Sequence, residues 1–235
     1  RFGSFTTMGE LYVETGLNEL SMSNYRRILS LDSAMVVVQF DKDGVQYQRK
    51  YFISYPDSVM VMKFTANQSG KQNLILSYCP NSEAKSNLRA DGKDGLVYTG
   101  VLDNNGMKFA FRIKAIHKGG TLEAENDRLI VKGADEVVFL LTADTDYKMN
   151  FNPDFKDPKT YLGNDPEQTT RIMMDQAVQK GYDELYRNHE ADHTALFNRV
   201  RLQLNPDISS PNLPTYQRLA NYKKGTPDYQ LEQLY

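Results

Sequence analysis

The sequence predicts a mainly β chain with a helical C-terminal part, in which an antiparallel β-sandwich precedes a set of helices. Three observations predict it. Up to about Thr145, apolar residues alternate with polar ones at a period of two, as half-buried strands do. Turn-forming pairs such as Asp43–Gly44 and Asn105–Gly106 separate these runs at short intervals. From Asp165 the apolar spacing changes to three and four residues, the period of a helix.

The strands follow in order. Ala34–Phe40 and Val45–Ser54 flank Asp43–Gly44 as a hairpin, with Tyr47, Tyr51 and Ile53 sharing a face. Ser58–Ala66 and Asn73–Cys79 come next. Gly95–Leu102 and Met107–Lys118 flank Asn105–Gly106, which tolerates the positive φ angles of a two-residue type I′ turn. In the second of these, Phe109, Phe111, Ile113 and Ala115 alternate with Lys108, Arg112 and Lys114. Asn126–Asp127 turns Thr121–Glu125 into Arg128–Lys132, and Glu136–Thr142 closes the series. So many strands with such close turns suggest a sandwich over residues 1–145. No short internal repeat indicates a propeller or solenoid.

Residues 146–164 form a connector rich in Asp, Asn, Pro and Lys, with Tyr147, Phe151, Phe155 and Tyr161 interspersed. A stretch this long without periodicity reads as a flexible interdomain connector or as a functional loop.

Residues 165–225 read as linker helices with one short strand. Asp165–Pro166 starts a helix, with proline at its first position. Ile172, Met173 and Ala177 supply its apolar stripe, and Gly181 breaks it. The next helix runs to about Asn198 on Tyr182, Leu185, Tyr186, His189, His193, Leu196, Phe197 and Val200. Val200, Leu202 and Leu204 alternate with Arg201 and Gln203, a brief return to strand. After a loop over residues 205–214, Thr215 caps a short helix through Tyr222. Thr226–Pro227 caps a final helix within residues 226–235, with Leu231, Leu234 and Tyr235 on its face. That helix has barely two turns and the chain begins at Arg1, so these 235 residues read as a piece of a longer protein.

Composition excludes several classes. Lys and Arg number 28 against 30 Asp and Glu, a net charge of −2, so there is no electrostatic footprint for nucleic acid or an anionic membrane. The longest apolar runs, Ala34–Val38 and Val137–Leu141, are strand-sized and far short of a membrane span. The single cysteine, Cys79, cannot form an internal disulfide, which permits cytosol or bacterial periplasm and argues against a disulfide-stapled module.

Two motifs carry possible chemistry. Asp41-x-Asp43-Gly44 resembles the start of a calcium loop, but the later acidic ligands are missing, and a hairpin tip accounts for it. His189-Glu190-Ala191-Asp192-His193 fits the His-Glu-x-x-His pattern of a zinc peptidase, with two imidazoles on one helix face and a glutamate as general base. Both histidines lie on the apolar stripe, and the remaining one, His117, is far back near a strand end. A pair of packed, hydrogen-bonded histidines accounts for the motif. No nucleophile elbow, phosphate loop or dinucleotide fingerprint is present, and no metal or other cofactor is implied.

Several stretches together resemble glycoside hydrolase family 95, the bacterial and plant α-L-fucosidase family. They are Met8-Gly9-Glu10-Leu11-Tyr12, Tyr25 through Ala34, Gly44 through Asp57, Leu129 through Asp135, His189 through Leu204, Pro214-Thr215 with Arg218-Leu219, and Pro227–Tyr235. Their order and spacing span nearly the whole chain. The resemblance implies an N-terminal supersandwich-like domain, incomplete at its start, and linker helices leading toward an (α/α)6 barrel that this chain lacks. It implies an inverting hydrolase that removes α-L-fucose, or L-galactose, from glycans, with a glutamate general acid in the barrel downstream of Tyr235. The sandwich would buttress the barrel, and the connector could reach toward the sugar site.

The resemblance therefore implies no catalytic position in this chain, and no substrate-binding residue is identified. Asp135, Asp144 and His193 receive no role from it. Tyr216-Gln217 stands where acidic residues are common in the family, and the connector also departs from the pattern, which leaves substrate preference open. A periplasmic or secreted bacterial protein is expected. The other reading is a stand-alone carbohydrate-binding sandwich, whose platform would be tyrosine or phenylalanine because tryptophan is absent.

Overall fold

The computed structural model describes residues 7–18, 20–80, 84–125, 127–204 and 213–234. Asn126, most of the loop at 205–214 and Tyr235 lie outside the described residues. The chain divides into two compact units, Arg1–His193 and Thr194–Tyr235.

The first unit is a β-sandwich with a helix on its outer side. Strands β1 (Gly9–Glu14), β6 (Gln72–Pro80), β11 (Arg128–Ala134) and β10 (Thr121–Glu125) form a small sheet in the order β1-β6-β11-β10. The large sheet has the order β2-β3-β4-β5-β12-β9-β8-β7. Its members are β2 (Ser23–Ser30), β3 (Met35–Lys42), β4 (Val45–Ser54), β5 (Val59–Ala66), β12 (Glu136–Thr145), β9 (Lys108–Lys118), β8 (Gly95–Leu102) and β7 (Ala84–Ala90). All pairings are antiparallel.

Leu74 and Leu76 of β6 and Leu129 and Val131 of β11 face Phe64, Tyr98, Ile113, Val137 and Phe139 of the large sheet, which makes the main core. The opposite face of the large sheet is covered too. Met35, Phe52, Val59, Val61, Val138 and Leu140 pack against Met174, Ala177 and Leu185 of helix α1 (Pro166–Phe197). Strand β12 is therefore buried on both faces, the physical reason for its unbroken apolar run. Each such side chain withdrawn from water contributes about 1.5–3 kcal/mol.

The turn chemistry holds in part. Asp43 and Gly44 have φ of 51° and 74°, and Lys42 pairs with Val45, so this is the expected type I′ hairpin. At Asn105–Gly106 only Gly106 has positive φ (75°), and Leu102 and Met107 close a longer loop through Leu102 N–H to the Met107 carbonyl at 2.9 Å. The expected two-residue turn is thus a four-residue one. Tyr47 and Tyr51 sit over the interior, whereas Ile53 runs past the sandwich and is 66% exposed.

Gly181 breaks α1 with φ 72° and ψ 172°, a conformation essentially reserved for glycine. Before the break the buried stripe is Thr170, Met174 and Ala177; Ile172, expected on it, is exposed. After the break Leu185 and His189 are buried.

The second unit holds α2 (Thr215–Tyr222) and α3 (Tyr229–Leu234). Residues 200–204 form no strand, because no neighbouring backbone pairs with them; Val200 and Leu202 are exposed. Thr215 is the first helical residue, and Pro214 precedes it without a side-chain cap. The last helix is capped by Asp228, whose Oδ1 accepts the Leu231 N–H at 3.0 Å, and Thr226 is not the cap. The Arg218 guanidinium donates to both Asp228 oxygens, at 2.7 and 2.5 Å. Leu231 is buried on the α3 face, and Leu234 is exposed.

Candidate functional site

Helix α1 is held to the large sheet by a buried carboxylate. Asp57, in the turn between β4 and β5, has a side chain only 1% exposed. Its Oδ1 accepts from Lys180 Nζ at 2.6 Å and Asn188 Nδ2 at 3.1 Å, and its Oδ2 accepts from Ser54 Oγ at 2.5 Å. Lys180 precedes the Gly181 break and Asn188 follows it, so one carboxylate ties both halves of α1. Burial pushes the Asp57 carboxyl up, but the donors from Lys180, Ser54 and Asn188 and the Lys180 charge outweigh it and hold it below the usual range.

The histidine motif has a packing role. His189 stacks on Phe52, with ring centroids 4.9 Å apart, and its Nε2 lies 2.8 Å from the Ala34 carbonyl. His193 Nε2 lies 2.6 Å from the Leu31 carbonyl. A carbonyl oxygen only accepts, so both Nε2 atoms carry the proton and donate. The pair grips the β2–β3 turn, where Ala34 has φ 47°. Zinc ligation by the two Nε2 atoms would require both bonds to break, and the packed, hydrogen-bonded pair read from the sequence is what these contacts form. Among the described residues no group of three or more His, Cys, Asp or Glu could hold a metal ion.

The remaining candidates are structural. Asp43–Gly44 is a hairpin tip, and Asp41 accepts from Asn24 Nδ2 at 2.6 Å. His117 Nδ1 lies 2.7 Å from the Gly119 carbonyl near the end of β9. Asp135 accepts from Ser69 Oγ and from the Gly70 N–H, which lower its carboxyl. Asp144 Oδ1 accepts the Thr145 N–H at 2.8 Å. Burial raises the Glu136 carboxyl, but Lys63 and Lys118, at 2.8 and 3.1 Å, bring it down on balance. The Arg218 bond holds Asp228 at about 2. The displaced carboxyls Asp57, Asp135, Glu136 and Asp228 thus all move downward, whereas a general acid for glycoside hydrolysis needs a raised one.

The connector is a closed loop and not a free tether. Lys148 N–H donates to the Tyr161 carbonyl at 2.8 Å, Gly163 N–H to the Asp146 carbonyl at 2.6 Å, and Asp154 N–H to Thr160 Oγ1 at 2.9 Å. Tyr147 and Tyr161 stack at 5.8 Å. The loop root is anchored on β9, since Asp146 N–H donates to the Lys108 carbonyl and Asp146 Oδ1 accepts the Lys108 N–H, both at 3.0 Å. Phe151 and Phe155 project from this frame, 94% and 77% exposed.

Next to that root lies a feature the sequence did not reveal. Leu96, Tyr98 and Leu102 of β8 face the core, so Val97, Thr99 and Val101 lie on the opposite face, where Val97 is buried and Val101 is exposed. On this face Asn87 pairs with Thr99, Lys85 with Val101, and Val101 with Lys108. Lys85, Asn87, Thr99 and Lys108 line a groove of about 500 Å³, completed by Asp165 and Glu167 at the start of α1. Another recess, among Thr15, Tyr47, Arg49 and Gln72, is only about 10 Å³ and is limited to a single water.

The first unit is a two-sheet antiparallel sandwich with a broken helix on its outer side, and comparison with known proteins specifies its family. Residues 2–150 match the family described as "Glycosyl hydrolase family 65, N-terminal domain", and the chain belongs to that family. Residues 181–235 match "Glycosyl hydrolase family 95 catalytic domain", a match that begins at the Gly181 break. The chain is 28% identical to "Probable alpha-fucosidase A" of Aspergillus niger and 25% identical to "Alpha-L-fucosidase 2" of Arabidopsis thaliana, over 97% and 93% of its length. It spans 29% of the length of each of these relatives. Among solved structures, "Putative kojibiose phosphorylase from human microbiome" shares the fold with a TM-score of 0.55 and 10% identity, over 80% of this chain and 27% of that one.

Proposed function

We propose that the chain is the N-terminal portion of a glycoside hydrolase that removes α-L-fucose, or L-galactose, from glycans by inverting hydrolysis. The sandwich and α1 act as scaffold, and the catalytic carboxyls belong to a helical barrel beyond Tyr235 on which this portion packs. One observation carries the reading: a family 95 catalytic-domain match takes over within α1, directly behind the sandwich. The names of the fungal and plant relatives support the choice of sugar. The closed loop at 146–164 is assigned to the sugar side because it presents Phe151 and Phe155 on a fixed frame. Export to the periplasm or out of the cell suits a glycan substrate, and cell fractionation tests it.

The test of function compares the 235-residue chain with the whole protein, assayed for fucose release from a 2′-fucosylated oligosaccharide. Release by the whole protein alone is the expected result. Release by the 235-residue chain would overturn the scaffold assignment, and no release of fucose or L-galactose by either would overturn the substrate.

A further inference from the structure

We propose that the groove across β7, β8 and β9 is a binding site for a neutral oligosaccharide. The choice of ligand rests on the glycan-processing reading above; the site itself rests on its lining. The groove, of about 500 Å³, is shallow and open to solvent along the face of the sheet, which suits an extended chain of sugars lying across it. Three hydrogen-bonded strands fix its floor, so its side chains stand on rigid backbone.

The lining carries both signs, with Lys85 and Lys108 beside Asp165 and Glu167. Both acids are already engaged. Asp165 Oδ1 accepts the Glu167 N–H at 3.1 Å, and Glu167 Oε1 pairs with Arg89 Nη2 at 2.7 Å. With Arg89 neutralising Glu167, Lys85 and Lys108 face Asp165 alone, and an excess of a single positive charge is too small to single out a polyanion. What the lining presents is a set of polar groups: two ammonium donors, the Asn87 amide and the Thr99 hydroxyl. A ligand rich in hydroxyls, able to donate and accept at each position, is the chemistry that matches.

A peptide fits less well. Its affinity comes from apolar anchors in pockets, or from adding a strand at a sheet edge. Here Gly100, Val101, Phe109 and Pro166 add apolar surface to the lining without a deep pocket for an anchor, and the groove lies on the face of the sheet. Val101 suits the C–H face of a sugar ring, flanked across the ladder by Lys85 and Lys108.

The experiment is an NMR titration of the 235-residue chain with lactose and with 2′-fucosyllactose, following backbone amides. Saturable shifts confined to β7, β8, β9 and the first turn of α1 are expected. Asn87→Ala and Lys108→Met should each weaken the response about tenfold, about 1.4 kcal/mol. Both side chains are exposed, so the variants keep the fold, which far-UV circular dichroism checks. No saturable shift, shifts elsewhere, or an unchanged response in both variants would overturn the site. A response to a sulfated glycan but not to lactose or 2′-fucosyllactose would overturn the neutral ligand. Fucose release by the whole protein is read separately: an active enzyme with a silent groove refutes only the groove, and a binding groove in an inactive protein refutes only the hydrolase.

Discussion

Replacing Asp57 should loosen α1 from the sandwich, and the geometry sets the size of the effect. Hydrogen bonds to a charged partner contribute about 1.5–3 kcal/mol each when buried. Asp57 accepts three, but only one donor is charged, and Lys180 is 34% exposed and partly screened by solvent. Removing the carboxylate also removes its own desolvation penalty. The net expectation for Asp57→Ala is a loss of about 2–3 kcal/mol, or about 4–12 °C in Tm for a domain of this size. Asp57→Asn keeps the shape and the acceptor toward Lys180, so it should lose only about 1 kcal/mol.

The sign with pH is fixed by the depressed carboxyl. Its contribution is fully present above the unfolded-state value of about 3.9 and fades as pH falls through the lower folded-state value. Differential scanning calorimetry from neutral pH down to pH about 2 checks this, because wild type and Asp57→Ala should converge at the acid end. Amide exchange should accelerate on both sides of Gly181, since Lys180 and Asn188 lose the same partner. An Asp57→Ala protein within about 0.5 kcal/mol of wild type at pH 7, or a difference that persists unchanged in acid, would refute the reasoning.

Three further perturbations test other parts of the fold. Gly181→Ala places a side chain at φ 72° and ψ 172° with open space around it, so the loss of about 1–3 kcal/mol is purely conformational; urea unfolding measures it, and a neutral effect means that α1 is straight. Ala34→Gly relieves a left-handed alanine at φ 47° in the turn held by His189 and should gain about 0.5–1 kcal/mol by the same measurement; a loss would place the turn in another conformation. The Asp228 carboxyl should titrate by NMR at about 2, because Arg218 holds it ionised. Its stabilisation of the α2–α3 clasp is present above the unfolded-state value and is lost as pH falls through about 2, whereas an ordinary midpoint would dissolve the clasp.

Features that depend on near neighbours were legible without coordinates. The Asp43–Gly44 turn, the period-two face of β9, the start of α1 at Pro166 and its break at Gly181 are each set by a few adjacent residues. The edge strands β2 and β7 escaped notice because Ser-Asn-Tyr-Arg-Arg and Lys-Ser-Asn-Leu-Arg show no buried alternation; a strand at a sheet edge has little to bury. Val200–Leu204 had the alternation but no partner strand. The caps shifted from Thr226 to Asp228 because capping depends on where the backbone turns helical, which composition leaves ambiguous within a few residues.

The amino-acid sequence alone determined that this is a sandwich followed by helices and, by resemblance, its likeness to glycoside hydrolase family 95, whose catalytic-domain model matches residues 181–235; the family 65 description of the sandwich itself came only from comparison. Local propensity and periodicity suffice for the sandwich and the helices, since they are written residue by residue. Tertiary structure decided which polar groups meet. Asp57 finds Lys180 and Asn188 more than a hundred positions away, His189 reaches back to Ala34, and the groove gathers side chains from β7, β8, β9 and α1. Those distances collapse only when two sheets and a helix close over a common core, so no spacing along the chain records them.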